Sequence, residues 1–487
     1  MATGNPRLLI ISPAWCQDWW RGGKVLAPPL SLPLLAGLTP PGVDIQLVDE
    51  NVERLDPDAT ADWVAITALT ASAPRAYQIA DAFRERSIPV VMGGIHPTVL
   101  PDEAAMHADA VVIGEAEGVW GEVISDLAGG RLKPRYQAEG YHDLVGLPRP
   151  RRELLRTERY LTINVVQTAR GCPHACTFCT VSAVFGRRYR FRPVAEVVEE
   201  VRELGGWVGF VDDNIVAHPA RAKELFEALI PLKLRWVSQG DLSMARDPEL
   251  LRLAARSGCR AMYIGLESVS ADNLRTIHKS ANLNCDIPEA IRTIHNSGIE
   301  IIGSFVLGLD GDAPDIFART ADFARRHKLA AAQFSVLTPF PGTVVHRELE
   351  AEGRIEDRDW SHYTMSNVVF RPRQMTALQL QEGQRETYRR FYSLPSITYR
   401  ALTRRGNLLT RLLVNLSYRR LHGGKGLCGS LPSHVPTKLS PEQLPEPVGK
   451  APGAPVSVEA PEAGRSLRAQ PPPHQADSNT EGGRAAE

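Results

Sequence analysis

Three thiols share one short stretch, Ala169-Arg170-Gly171-Cys172-Pro173-His174-Ala175-Cys176-Thr177-Phe178-Cys179. Their spacing is Cys-x3-Cys-x2-Cys, and soft thiolates select zinc or iron–sulfur clusters. Three thiolates on one loop can wrap one face of a four-iron cluster and leave the remaining iron open. An outside molecule can bind such an open site and exchange an electron with it. Structural zinc, the alternative, closes its shell with four ligands. His174 is a formal fourth candidate, but it lies inside the three-residue gap. Cys16, Cys259, Cys285 and Cys428 form no second pair at zinc spacing. Seven cysteines in 487 residues are too few for a disulfide scaffold.

A loop of this kind must be held by rigid elements. The cysteines follow an apolar run at 161–167, the first of six; the others lie at 207–211, 234–239, 261–266, 300–307 and 332–337. Helical patterns separate them, as at 194–204, 220–229, 248–257, 287–297 and 315–326. Six βα units predict an open, partial (β/α)6 barrel of the TIM type, short of the usual eight. The residues ahead of it alternate in the same way. Strands are expected at 7–12, 44–48, 63–67, 89–92 and 110–113, with helices such as 73–86 and 117–127 between them. That pattern predicts a doubly wound, Rossmann-like parallel sheet, in which ligands lie beyond the carboxyl ends of the strands. Turn-forming and polar residues gather there, including Thr67 to Thr70, Gly93-Gly94-Ile95-His96-Pro97 and Gly114-Glu115-Ala116-Glu117. The expected organisation is a sheet domain over 1–145, a Pro-rich linker over 146–160 and the barrel over 161–370. A helical region over 371–425 and a tail over 426–487 complete it.

The tail should be disordered: residues 431–487 hold 11 Pro and no Phe, Tyr, Trp, Ile or Met. The chain has 56 Lys+Arg and 56 Asp+Glu, a balance that argues against nucleic acid held by bulk electrostatics. No signal segment and no apolar run of membrane-spanning length is present, so a cytoplasmic protein is expected. Charge is nonetheless uneven. Residues 387–425 contain eight Arg and one Lys but no Asp or Glu, interleaved with apolar residues. A basic amphipathic helix can lie on an anionic membrane surface or cover an acidic substrate, and it can equally pack its leucines on the barrel.

The cysteine loop, with Phe178 before its last thiol, resembles the signature of the radical S-adenosylmethionine (SAM) superfamily. The likeness extends over residues 160–370. Phe210-Val211-Asp212-Asp213-Asn214 is similar to the family's second-strand motif, and Tyr263-Ile264-Gly265-Leu266-Glu267-Ser268 to the strand whose carboxylate helps hold the SAM ribose. Gly303-Ser304-Phe305-Val306-Leu307-Gly308 resembles the glycine-rich fifth strand, and Leu337-Thr338-Pro339-Phe340-Pro341-Gly342 the loop near the adenine. The resemblance implies a [4Fe–4S] cluster on Cys172, Cys176 and Cys179, with SAM chelating the open iron. It implies SAM contacts at Phe178, Asp212, Gln239, Glu267, Gly303 and Thr338. Adjacent strand residues face opposite ways, so at most one of Asp212 and Asp213 is expected to face the barrel interior. Gln239 and Asp241 either line the site or cap a turn.

A radical SAM barrel behind such a sheet resembles the cobalamin-dependent subfamily, on Pro28-Pro29-Leu30-Ser31-Leu32, Val48-Asp49-Glu50, the Gly93-Gly94 loop and the Gly114-Glu115 loop. The resemblance implies cobalamin over the strand ends, with Thr67, Thr70, Gly93, Gly94 and Gly114 as contacts. The Asp-x-His-x-x-Gly motif that supplies an imidazole to cobalt in many corrinoid proteins is absent, and His96 in its turn is not expected to replace it. Methylthiotransferases have a related layout but need three further cysteines ahead of the barrel, and only Cys16 precedes Cys172.

The implied activity is methyl transfer to an unactivated carbon through a 5′-deoxyadenosyl radical and methylcobalamin. Cobalamin-dependent cyclisation without methyl transfer is the alternative, and a non-catalytic corrinoid or iron–sulfur sensor is a third reading. The implied partners are a small-molecule or lipid substrate and a reductant such as flavodoxin or ferredoxin. Peripheral membrane contact would run through the basic carboxyl-terminal helices.

Overall fold

Apolar runs covered by helices on both faces become parallel strands, and this chain contains two such sheets. The structure, a computed structural model, describes residues 4–15, 25–402, 412, 415, 416 and 419. In the first sheet β1 (Arg7–Ser12), β2 (Asp44–Asp49), β3 (Trp63–Thr67), β4 (Val90–Gly93), β5 (Ala110–Ile113) and β6 (Arg135–Gln137) run in the order β2-β1-β3-β4-β5-β6. Every pair is parallel. Side chains alternate strictly: Leu8, Ile10 and Trp63 enter one core, Leu9, Ile11 and Val64 the other. The order turns back between β1 and β3, the switch point at which such sheets open a crevice for ligands. β6 carries no apolar run, since only Tyr136 of its residues is buried.

The connector after this sheet is packed rather than free. Leu155 and Tyr160 enter the same core as Leu8, and Tyr160 donates its hydroxyl hydrogen to Asp49 at 2.9 Å.

The second sheet begins with β7 (Val165–Val166). A small antiparallel pair follows, β8 (Ala169–Arg170) with β9 (Arg190–Phe191). Then come β10 (Trp207–Phe210), β11 (Arg235–Gly240), β12 (Cys259–Glu267), β13 (Glu300–Leu307) and β14 (Ala331–Val336). Their order, β14-β13-β12-β11-β10-β7, is that of an open six-stranded barrel wall. The first barrel strand is shorter than the apolar run at 161–167 because its start is used elsewhere. Leu161 donates its amide to Val25, and the Asn164 side chain bonds the carbonyls of Gly205 and Trp207.

An open barrel leaves β14 with an unpaired edge, a hazard for strand addition. The helix Ala377–Phe391 covers it with side chains. Tyr392 accepts from the amide of Ala332 and donates to its carbonyl, Tyr388 accepts from the amide of Phe334, and Gln384 donates to the Phe334 carbonyl. The helix starts at a capping box made by Thr376 and Gln379. A short helix, Leu394–Leu402, follows. Among the described residues no helix is long and apolar enough to cross a membrane. The Pro-rich tail and most of 403–425 lie outside the described residues.

Candidate functional site

The cysteine loop leaves the barrel wall at β8, and Asp212 fixes that departure. Its carboxylate accepts from the amides of Thr168 (2.6 Å) and Ala169 (2.7 Å) and from the Thr168 hydroxyl (2.7 Å). Asp212 is fully buried, and its oxygens hold two backbone amides and the Thr168 hydroxyl. Asp213 is the acid that acts electrostatically on Cys172 and Cys179. Burial, and then the neighbouring Asp212, pushes its carboxyl up to about 6. Gly171 has φ +87°, and a Cβ there would lie 2.6 Å from the Arg188 carbonyl oxygen. Only glycine lets the loop pass so close.

His174 pins the loop from the other side. Its Nε2 lies 2.9 Å from Asp241, whose carboxylate also accepts from Asn214 Nδ2 at 2.7 Å and from the Ser243 amide at 2.8 Å. Although burial opposes it, these bonds hold the Asp241 carboxyl well below the usual carboxylate range. His174 and Asp241 therefore position the loop.

Cys172, Cys176 and Cys179 are all unbridged. Burial, reinforced by the neighbouring Cys179, pushes the Cys172 and Cys176 thiols up to about 11, and burial with Asp213 raises Cys179 as well. Cys176 is buried and Cys172 and Cys179 are half-buried, so one loop presents three soft sulfur donors. Among the described residues no three His, Cys, Asp or Glu side chains converge as on a single metal ion. A cluster has no need of that convergence, because each thiolate binds its own iron. The donor set fits.

Next to Cys176 lies an ion pair that the sequence reading names only in half. Glu267 ends β12 at a left-handed φ of 62° and accepts from Lys279 Nζ at 2.8 Å. Burial alone would lower the Lys279 ammonium; Glu267 and Cys176 outweigh it and raise it. Gly265 leaves room for this pair, since a Cβ there would lie 2.1 Å from the Glu267 carboxylate and displace it. The pair sets an ammonium and a carboxylate beside the Cys176 thiol. Lys279 lies twelve residues beyond Glu267, past any strand motif, and only the fold brings it back.

The other expected SAM contacts divide. Gln239 is exposed on β11, opposite in facing to the buried Trp236 and Ser238, and is free to line the interior. Phe178 packs on the barrel core. Thr338 is buried and donates its hydroxyl to the Val336 carbonyl. Gly303 faces away from the interior: a Cβ there would meet Leu329 at 2.7 Å and Leu266 at 3.1 Å. Alternation turns Ser304 inward instead.

On the first sheet, Gly114 has φ +83° and open space where a Cβ would be, as a cradle for a bulky planar ligand requires. Gly94 does not face that space, because a Cβ would lie 2.7 Å from the Ala68 carbonyl oxygen. A Cβ on Gly93 would touch Val112 at 3.5 Å. Thr70 is buried, and Thr67 is partly exposed. Leu69 projects from the same loop at 56% exposure. So β3 and β5 offer open surface through Thr67, Leu69 and Gly114, whereas Gly94 and Thr70 serve packing. His96 is fully buried, with Nε2 3.0 Å from the Tyr77 hydroxyl and its ring against Trp360; it belongs to the fold.

The Gly114-Glu115-Ala116-Glu117 loop joins the two sheets. Glu117 accepts from Arg170 at 2.7 Å, and Glu115 accepts from both terminal nitrogens of Arg190 at 2.7 and 2.6 Å. Arg170 also lies 3.3 Å from Glu115. All four side chains are buried. Glu115 ionises below its ordinary value: burial opposes this, and Arg190 and Arg170 overcome it.

A parallel sheet with an open cradle at its carboxyl edge, tied to a six-stranded barrel with three loop cysteines, defines a two-domain cofactor enzyme. Residues 24–124 match the family model of the B12 binding domain, and residues 166–324 that of the radical SAM superfamily. Bacteriochlorophyllide d C-12(1)-methyltransferase of Chlorobaculum tepidum is 32% identical over 398 residues, 78% of this chain and 87% of the relative. The anaerobic magnesium-protoporphyrin IX monomethyl ester cyclase of Cereibacter sphaeroides is 27% identical over 70% of this chain and 61% of its own length. Among solved structures, the cobalamin-dependent S-adenosylmethionine radical enzyme OxsB superposes with a TM-score of 0.65 at 13% identity. That match covers 86% of this chain and 71% of OxsB and speaks for the fold. The chain belongs to the cobalamin-dependent radical SAM family. Its cofactors are the [4Fe–4S] cluster, SAM and cobalamin.

Proposed function

We propose that this enzyme transfers a methyl group to an unactivated carbon of a small molecule. The observation that carries this reading is the Glu115–Arg190 and Glu117–Arg170 clasp, which locks the cobalamin sheet to the strand that launches the cysteine loop. When bound, the cluster and SAM supply a carbon radical that abstracts hydrogen, and cobalamin supplies the methyl group. The chain's own residues do the rest. Cys172, Cys176 and Cys179 hold the cluster, Lys279 binds the SAM carboxylate, and Glu267 binds the ribose hydroxyls. Gln239 and Ser304 face the interior, where Tyr263 donates to Gln333 at 2.7 Å. Val237 and Ile302 face the same interior by strand alternation and are only partly buried. An interior that mixes apolar side chains with fixed polar groups can orient a small molecule by hydrogen bonds. Electrons from a flavodoxin or ferredoxin and peripheral contact with a membrane surface belong to the same proposal.

The test is to incubate reduced, iron-reconstituted, cobalamin-loaded protein with methyl-labelled SAM and apolar extract. Formation of 5′-deoxyadenosine together with transfer of label to a small molecule supports methyl transfer. Deoxyadenosine without label transfer favours cyclisation, the second reading, which the similarity to the Cereibacter cyclase supports.

A further inference from the structure

A helix on a globular protein ordinarily turns its apolar face inward and its charged residues outward. The helix Leu394–Leu402 departs from this by burying an arginine and leaving two leucines outside. Ser396, Ile397, Arg400 and Ala401 form its buried face. The Arg400 guanidinium donates to the carbonyls of Leu329 (3.0 Å) and Phe391 (3.1 Å) and lies 3.8 Å from the Phe391 ring centroid. The outward face consists of Leu394, Pro395, Thr398, Tyr399 and Leu402, with no charge among them. Leu394 is 54% exposed and Leu402 69%.

Leu416 adjoins this face and is itself exposed. Its neighbour Asn415 donates to the Ala330 carbonyl, which Arg400 also reaches. Leu329 and Ala330 immediately precede β14, so the whole apolar face sits at the amino-terminal end of the barrel strands. The cysteine loop and Glu267 occupy the opposite end.

Charge decides what covers the face. Lys328 Nζ lies 5.9 Å from the Tyr399 ring centroid, and the exposed Arg325 and Arg326 end the helix just before it. Two such faces brought together would oppose like charges, which disfavours a second copy of the chain. An anionic lipid surface satisfies both features: leucines enter the acyl boundary, tyrosine sits at the headgroup level and basic residues meet the phosphates.

We propose that the outward face of Leu394–Leu402, with Leu416, docks on an anionic bilayer. This gives the membrane contact proposed above its face and directs the cysteine loop away from the lipid.

The experiment is co-sedimentation of the full chain with vesicles of phosphatidylcholine alone and of phosphatidylcholine mixed with phosphatidylglycerol. Binding to the anionic vesicles only, weakening as salt rises, is expected. The Leu394→Ser/Leu402→Ser double variant should lose affinity roughly tenfold or more while keeping the wild-type Tm and SAM cleavage. Leu416→Ser, outside the helix, gives a second reading should the double variant lose its fold. No binding to anionic vesicles, or unchanged binding by both variants, overturns the proposal. So does a wild-type dimer in light scattering that the double variant converts to monomer. Deoxyadenosine formation by the same preparations shows separately whether the catalytic reading stands.

Discussion

Glu117, on the cobalamin sheet, and Arg170, two residues ahead of the first cluster cysteine, are joined by a buried ion pair of 2.7 Å. The loop that follows β5 thus grips the strand that leads into the cysteine loop.

Replacing Glu117 by Gln should leave Arg170 buried beside a neutral partner. Losing the sole partner of a buried charge costs about 3–5 kcal/mol; Arg170 keeps Glu115 at 3.3 Å, so the loss is smaller, and the Tm falls. Deoxyadenosine formation should survive better than methylated product, because the lesion loosens one cofactor relative to the other. Measuring both products on one sample checks this; equal loss of the two would mean the clasp only stabilises.

Glu115 should give the fold an acid-sensitive contribution. Its folded-state pKa is depressed, so the stability it adds is fully present above the unfolded value of about 4.3 and is lost as pH falls through the lower folded value. Urea unfolding followed from neutral pH into the acid range should show this slope. Glu115→Gln should be less stable at neutral pH and should lack that part of the slope.

Asp212→Ala removes the acceptor for two backbone amides and a hydroxyl. Leaving them unpaired should cost about 1–3 kcal/mol for each group and disorder the approach to the cysteines. Iron content after reconstitution should fall severalfold. SAM affinity per bound cluster should stay near wild type, the opposite of what a SAM ligand would show.

Lys279→Met should weaken SAM binding roughly tenfold or more, as expected for losing a charge-assisted bond of about 1.5–3 kcal/mol. Equilibrium dialysis with the reconstituted protein measures it, and Lys279→Arg should recover part of the loss.

Much of this was legible before folding. The cysteine spacing needs no tertiary information, and the barrel strands β10 to β14 follow apolar runs to within two residues at either end. What escaped was non-local or depended on which face a strand residue takes. Lys279 returns to the site only through the turn at His278, φ 56°. The partners of Glu117 and Glu115 lie 53 and 75 residues away, so their loop reads as a ligand cradle when part of it is a clasp. Gly303 is the exception that pattern could have caught, since it alternates in phase with buried Ile301 and Phe305. The choice between Asp212 and Asp213 fell just beyond a strand end, where alternation gives no guidance.

The most direct test of methyl transfer uses methyl-deuterated SAM with wild-type and Cys176→Ser proteins in apolar extract, read by mass spectrometry. The account predicts a small molecule carrying the intact deuterated methyl group with wild type and none with the variant. Label that never leaves SAM, or a labelled product that persists in Cys176→Ser, would contradict it.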